Sequence, residues 1–188
     1  MALTIIRQSS DQIKKWSGGT TTELFISPLG ANYGDRTFDF RISTATVEVE
    51  ESIFTPLLEV SRTLMVLEGD MRLEHIGHHS VNLSKFSVDR FHGGWETKSV
   101  GKCVDFNLMT LGKTKGDLEG KFLVKGEELI HQLINCKESF IYLFKGSVGI
   151  EIEGEAYTLH EGDFICLNEA KAKLIANSAV ELVMVNID

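Results

Sequence analysis

The stretch Asp105-Phe106-Asn107-Leu108-Met109 carries the residues best suited to chemistry in this chain, a carboxylate and an amide within an apolar run. In a β-strand, residues two apart share a face, so Asp105, Asn107 and Met109 point one way while Phe106 and Leu108 point the other. Such polar side chains either face water or line a cavity in which they need hydrogen-bond partners. An enclosed carboxylate can also transfer a proton in catalysis.

Two arginines within other apolar strands are candidate partners for these groups. Strand alternation places Arg41 on the same face as Ser43, and it places Arg62 among apolar residues typical of an interior. A buried arginine is costly unless it is paired. We therefore weigh two hypotheses, an internal ion pair with Asp105 or Glu23 and a planar guanidinium directed at a ligand carboxylate.

A tryptophan followed by paired glycines precedes the first of these strands. Adjacent glycines allow the backbone to approach a ligand closely, although a tryptophan such as Trp16 is more often a core residue than a platform for a ligand. They do not form a phosphate loop, because no Lys-Ser or Lys-Thr follows and no helical pattern begins there. We expect this stretch to border a pocket in the N-terminal half. The predicted ligand-binding residues are Trp16, Ser17, Gly18, Gly19, Glu23, Arg41, Ser43, Arg62, Asp105 and Asn107.

The six histidines do not show the spacing of a known metal site. No His-x-His occurs, and His78 and His79 are adjacent in a predicted hairpin turn, where they do not easily converge on one ion. We therefore predict no metal and no cofactor, and we interpret the histidines as exposed or structural. No serine nucleophile has a histidine at a recognisable spacing, so the catalytic residues of an enzyme stay undetermined.

Cysteine usage and charge indicate the compartment and the partners. Cys103, Cys136 and Cys166 lie far apart in apolar runs without a Cys-x-x-Cys, which predicts inert thiols in the reducing cytoplasm. A net charge of −8 argues against a nucleic-acid-binding surface. No stretch approaches the roughly 18 apolar residues of a membrane span. We expect a small-molecule ligand, no nucleic acid and no membrane as partners, and we leave a homodimer open.

Short strands separated by glycine turns fill most of the chain after residue 37, so such strands must position the candidate ligand-binding residues. The apolar run 140–144 ends in Lys145-Gly146 as the run 64–67 ends in Glu68-Gly69, which indicates a weak internal repeat. The polar residues 112–117 are typical of a linker. The predicted organisation is all-β, with an N-terminal segment 1–36 packing on a first β unit, 37–111, and a second, similar β unit, 118–188.

An apolar strand that is followed by a glycine turn, a second strand and Gly162-Asp163-Phe164 resembles half of a cupin. The resemblance implies a bicupin-like chain of two jelly-roll β barrels, a first cupin-like barrel over 37–111 and a second, degenerate one over 118–188. A more specific resemblance, to the HutD/Ves family, lies between residues 16 and 109. The chain departs from the family pattern at Ser17 and Thr20, which replace an asparagine and a third glycine. The matching residues are Trp16, Gly18, Gly19, Glu23, Phe40-Arg41-Ile42-Ser43, Arg62, Leu67-Glu68-Gly69, Phe91-His92-Gly93 and the stretch 105–109.

The resemblance implies a function in small-molecule metabolism, because some family members accompany histidine-utilisation genes and others are linked to stress responses. We expect a metal-free protein that binds a small, polar, carboxylate-bearing metabolite and has a regulatory or accessory metabolic role. An amino-acid-derived acid from histidine breakdown suits the arginine, amide and hydroxyl groups. Two other classes stay open, a metal-independent isomerase or hydrolase using the same pocket and a structural or interaction protein without a ligand.

Overall fold

The computed structural model describes residues 3–6, 12–132, 136–167 and 171–188. These residues form nineteen strands and no α-helix, and none of them belongs to a helix that could cross a membrane. The strands are β1 (Leu3–Ile6), β2 (Ile13–Trp16), β3 (Gly19–Ser27), β4 (Phe40–Val47), β5 (Glu51–Ile53), β6 (Val60–Gly69), β7 (Met71–His75), β8 (Ser80–Leu83), β9 (Val88–His92), β10 (Thr97–Val100), β11 (Cys103–Leu111), β12 (Gly116–Leu123), β13 (Glu128–Gln132), β14 (Glu138–Lys145), β15 (Ser147–Ile152), β16 (Glu155–His160), β17 (Phe164–Leu167), β18 (Lys171–Ala176) and β19 (Val180–Ile187).

The chain divides into two compact units, each built from two antiparallel sheets. The unit Ser9–Lys115 contains a sheet of order β2-β3-β4-β11-β6-β9 and a sheet of order β5-β10-β7-β8. The other unit contains β1 and Gly116–Asp188, with the orders β1-β17-β14-β19-β12 and β13-β18-β15-β16. The order β4-β11-β6-β9 recurs as β12-β19-β14-β17, and β5-β10-β7-β8 recurs as β13-β18-β15-β16. The strand order of one unit therefore repeats in the other.

The sheets of the described strands are open, which differs from the predicted closed barrels. The six-stranded sheet ends at β2 and β9, and its four-stranded companion ends at β5 and β8, so no ladder runs from one sheet into the other. Each unit is a pair of sheets around a core.

Strand β1 corrects the expectation that the whole segment 1–36 packs on the first unit. Its residues pair with β17 of the second unit, from Leu3 opposite Leu167 to Ile6 opposite Phe164. The side chain of Ile5 packs against that unit's core, so burial of apolar surface accounts for this placement.

Alternating apolar side chains place the core of each unit between its two sheets. In the unit Ser9–Lys115, Leu64 and Val66 of β6 pack in one buried cluster with Leu73 of β7. In the other unit, Ile150 of β15 and Leu182 of β19 belong to a larger buried cluster. Burying one such side chain contributes about 1.5–3 kcal/mol, so these clusters hold the sheets that carry the polar residues.

The three cysteines are in the described part of the chain, and none of them forms a disulfide. Burial raises the pKa of Cys103 to about 12, with a smaller contribution from the charge of Asp105. Burial also raises the pKa of Cys166 to about 11. Both groups are therefore thiols near neutral pH, the form in which cysteine is a poor nucleophile.

Candidate functional site

Strand β11 lies between β4 and β6, and its register gathers polar residues from all three strands. Met109 is opposite Arg41 on β4 and opposite Arg62 on β6, and Asn107 is opposite Ser43. Because residues two apart share a face, these positions direct their side chains to the same side of the sheet. The polar side chains that meet there are Arg41, Ser43, Arg62, Asp105 and Asn107.

These side chains line a cavity of about 300 Å³, which is at the small end of the range for small-molecule pockets. Aromatic and apolar groups complete its wall, among them Tyr33, Phe54 and Met109. The exposed residues Lys14, Lys15 and Trp16 also border it. The cavity therefore combines an apolar wall with a few convergent polar groups, as binding sites for small molecules do.

Arg41 is neutralised within the protein. Its Nε donates to Glu23 Oε2 at 2.7 Å, and its Nη1 donates to Ser43 Oγ at 3.2 Å. The guanidinium lies over the Tyr33 ring, 4.4 Å from the centroid, and only 4% of the residue is exposed. The hypothesis of an internal ion pair with Glu23 is therefore correct for Arg41.

Arg62 is linked to Asp105 through an amide. Its Nη2 donates to Asn107 Oδ1 at 3.0 Å, and Asn107 Nδ2 donates in turn to Asp105 Oδ1. The guanidinium lies 4.6 Å from the centroid of Phe54 and 5.2 Å from that of Phe91, so cation–π contacts hold its plane. Its Nε is buried and has no hydrogen-bond partner in the described part of the chain.

Burial sets the charge of this network. It raises the pKa of Asp105 to about 7, against the opposing effects of the Arg62 charge and of the hydrogen bond from Asn107. Burial also lowers the pKa of Arg62 to about 10, so the guanidinium keeps its charge at neutral pH. Because burial favours the neutral form of the Asp105 carboxyl group, the Arg62 charge is not fully compensated near neutral pH.

Four residues of the predicted ligand-binding set are not in the lining, although all of 12–132 is described. Ser17 is exposed. Glu23 lies outside the lining, and its carboxylate accepts a hydrogen bond from Arg41, which is part of the lining. At Gly18, an added Cβ would lie 2.1 Å from the Trp16 ring, and at Gly19 it would lie 1.9 Å from the Thr46 carbonyl oxygen. The paired glycines therefore allow close packing of Trp16 and β4, where the sequence suggested an approach of backbone to ligand.

Replacing Gly19 with alanine should destabilise the fold by about 1–3 kcal/mol, since the new methyl group overlaps the backbone of β4. Urea unfolding would measure the change. Gly149→Ala is the matched control, because a Cβ there meets nothing closer than the Ile175 carbonyl oxygen at 3.8 Å. An equal stability for Gly19→Ala and the wild type would contradict this account of the glycine pair.

Sequence reasoning missed two aromatic residues of the cavity wall. Tyr33 lies in a polar, turn-like segment, and nothing in its pattern marks it as a neighbour of Arg41. Phe54 directly follows β5, at the edge of the companion sheet, and contacts Arg62 across the cavity. A periodic signal exists only within strands, so loop and strand-end residues escape it.

Comparison with known families decides where this chain belongs. The model of the HutD family matches residues 8–184, which is almost the whole chain. The chain belongs to the HutD family. A comparison of this HutD-family chain with curated proteins gives no match.

Solved structures similar to this HutD-family chain share its fold. A conserved protein of unknown function from Pseudomonas aeruginosa PAO1 is 24% identical, with all of both chains covered and a TM-score of 0.83. HutD from Pseudomonas fluorescens SBW25 is 18% identical over 99% of this chain and 98% of that one, with a TM-score of 0.72. A cupin 2 conserved barrel domain protein from Leptotrichia buccalis is 10% identical over 100% and 98%, with a TM-score of 0.60. The fold is therefore cupin-like.

Proposed function

We propose that this protein binds a small carboxylate-bearing metabolite in the cavity formed by β4, β6 and β11. The observation that carries the proposal is the state of Arg62. One guanidinium nitrogen, Nη2, donates to Asn107, while the buried Nε has no partner in the described part of the chain. A ligand carboxylate would accept from Nε and would neutralise the charge that Asp105 leaves uncompensated.

The neighbouring groups suggest what else the ligand carries. Ser43 Oγ accepts from Arg41 and keeps its own O–H as a donor, and the Asn107 amide keeps a second N–H beside the one directed at Asp105. Both groups would donate to a carbonyl oxygen of an amide or formyl group. An amino-acid-derived acid presents that combination of a carboxylate with a second polar group.

The biological setting belongs to the same proposal. The family resemblance suggests a regulatory or accessory metabolic role, in histidine utilisation or in a stress response. The repeated strand order supports an interpretation of the two units as the halves of a bicupin. The protonated thiols fit a place in the reducing cytoplasm.

A second candidate function is a metal-independent isomerase or hydrolase in the same cavity, and it rests on Asp105. A general acid or base works best when its pKa lies near the working pH, and burial raises the pKa of Asp105 to about 7. Asp105→Asn separates the two functions once a ligand is known. An enzyme would lose turnover of the ligand in this variant, whereas a binding protein shows no turnover in either form.

The small molecule that copurifies with the protein tests the proposal. Protein purified under native conditions is denatured, and the released molecules are identified by mass spectrometry. We expect a carboxylic acid with the wild type and with Arg72→Met, which changes an exposed arginine of β7, and we expect its loss with Arg62→Met. A neutral sugar or nucleoside that Arg62→Met retains would overturn the proposal.

A further inference from the structure

A second cluster of polar side chains lies in the unit Ser9–Lys115, and none of its members lines the cavity. It consists of His75 at the end of β7, His79 just before β8, and Asp89 on β9. The distance from Asp89 Oδ2 to His75 Nε2 is 2.8 Å, and that from Asp89 Oδ1 to His79 Nε2 is 3.1 Å. One potential ligand atom from each residue lies within 4.8 Å of the other two.

The hairpin between β7 and β8 brings the two histidines side by side. The His75 N–H donates to the His79 carbonyl at 2.8 Å, and the His78 N–H donates to the His75 carbonyl at 2.9 Å. These bonds close a tight turn and place the two imidazole rings 4.6 Å apart. His75 and Asp89 are buried while His79 is exposed, so the cluster has one side open to solvent.

The polar partners of His75 allow either ring nitrogen to carry the proton. Thr97 Oγ1 lies 2.8 Å from His75 Nδ1 and 3.3 Å from the Trp95 carbonyl oxygen. When the hydroxyl donates to Nδ1, the ring carries its proton on Nε2 and donates to Asp89. When the hydroxyl turns to the Trp95 carbonyl, Nδ1 becomes the donor and the Nε2 lone pair is released toward Asp89 and His79. In this second arrangement His75 Nε2 and Asp89 Oδ2 are both acceptors 2.8 Å apart, so they need a cation to satisfy them.

A hydrogen bond from the second ring nitrogen to a neighbouring oxygen atom commonly orients metal-binding histidines. Thr97 Oγ1, 2.8 Å from His75 Nδ1, is placed to accept such a bond.

We propose that His75, His79 and Asp89 form a binding site for one divalent transition-metal ion of the zinc class. Two imidazole nitrogens and one carboxylate suit such an ion, and the side open to solvent leaves room for water as a further ligand. Ligand atoms around a tetrahedral zinc ion lie about 3.3 Å apart for bonds of about 2.0 Å. Asp89 Oδ2 lies 2.8 Å from His75 Nε2 and Asp89 Oδ1 lies 3.1 Å from His79 Nε2, and one ligand atom from each residue lies within 4.8 Å of the other two. Rotations of these side chains would bring the three atoms to the spacing that zinc requires.

The inference goes beyond carboxylate binding and revises the expectation that the chain holds no metal. The sequence argument considered His78 and His79, whose adjacency prevents convergence on one ion. The turn instead joins His75 with His79, and His78 stacks on Trp95 at 3.8 Å between ring centroids.

Calorimetric titration with Zn²⁺ tests the site in tag-free protein that has first been treated with a chelator. We expect one Zn²⁺ per chain, and we expect Co²⁺ to give the visible absorption of a site with nitrogen ligands. His79→Ala and Asp89→Asn should each weaken Zn²⁺ binding by at least about 100-fold, the upper end of the loss seen when even an outer-shell partner is removed. His160→Ala, an exposed histidine of the other unit, should leave the affinity unchanged.

Three results would overturn the proposal. They are the absence of saturable Zn²⁺ binding by the wild type, an affinity of His79→Ala equal to that of the wild type, and a loss of binding in His160→Ala instead. Because His79 is exposed, its variant decides the question even where Asp89→Asn fails to fold.

Discussion

Arg62→Met should weaken the binding of a small carboxylate by about 2–5 kcal/mol, or roughly thirtyfold to several thousandfold. Methionine keeps an apolar side chain of similar length against Phe54 and Phe91 but removes the buried Nε–H and the charge. The loss is large because the other cations of the described cavity wall differ from Arg62. Arg41 is paired with Glu23, and Lys14 and Lys15 are exposed to solvent. Isothermal titration of a panel of small carboxylates would measure it.

Arg41→Met is the informative comparison within the same cavity. The Arg41 charge is already neutralised by Glu23, so this variant should lose less affinity than Arg62→Met. Arg72→Met, on the exposed side of β7, controls for general loss of positive charge. An unchanged affinity in Arg62→Met, or a greater loss in Arg41→Met, would contradict the role given to Arg62.

Asp105→Asn should gain stability over the wild type as the pH rises from 4 to 8. The folded protein holds the Asp105 proton up to a pKa of about 7, whereas the model value for the unfolded chain is 3.8. Between these values the folded state binds more protons than the unfolded state, so the wild type loses stability with rising pH. Asparagine does not titrate, and the difference should therefore grow to about 4 kcal/mol.

Urea unfolding at a series of pH values would measure this difference. Asp70→Asn provides the control, because Asp70 is exposed in the turn between β6 and β7. The buffer must contain no carboxylate, since a bound ligand would stabilise the wild type and hide the effect. A difference between Asp105→Asn and the wild type that stays constant from pH 4 to 8 would show that Asp105 is ionised throughout.

The convergence of Arg41, Arg62, Asp105 and Asn107 was predictable because two physical rules act together. Strand alternation assigns each residue to a face, and the cost of an unpaired polar group in an apolar interior requires these residues to meet. The all-β class followed from glycine turns and short apolar runs, and the family resemblance followed from the motifs between residues 16 and 109. Neither strand alternation nor the cost of an unpaired buried polar group requires knowledge of the order of strands in the sheets.

The remainder of the site depends on features that alternation does not encode. The register of β3 against β4 shifts between Glu23 and Phe25, and such bulges change which residues share a face. Tyr33 and Phe54 lie outside the strands, so their approach to the arginines depends on loop paths. The metal-binding proposal depends on the turn that brings His75 close to His79. Sequence analysis considered only the adjacent pair His78 and His79, so it did not predict this contact.

The most direct test of the central claim is a thermal-shift and calorimetric comparison of small carboxylic acids with their own primary amides. Each pair differs chiefly in the charge that Arg62 would recognise. The account predicts saturable stabilisation by at least one acid, reaching about 2.7 kcal/mol at 100 times its Kd, and a much weaker effect of its amide. Equal stabilisation by acid and amide, or stabilisation only by neutral sugars or nucleosides, would contradict it.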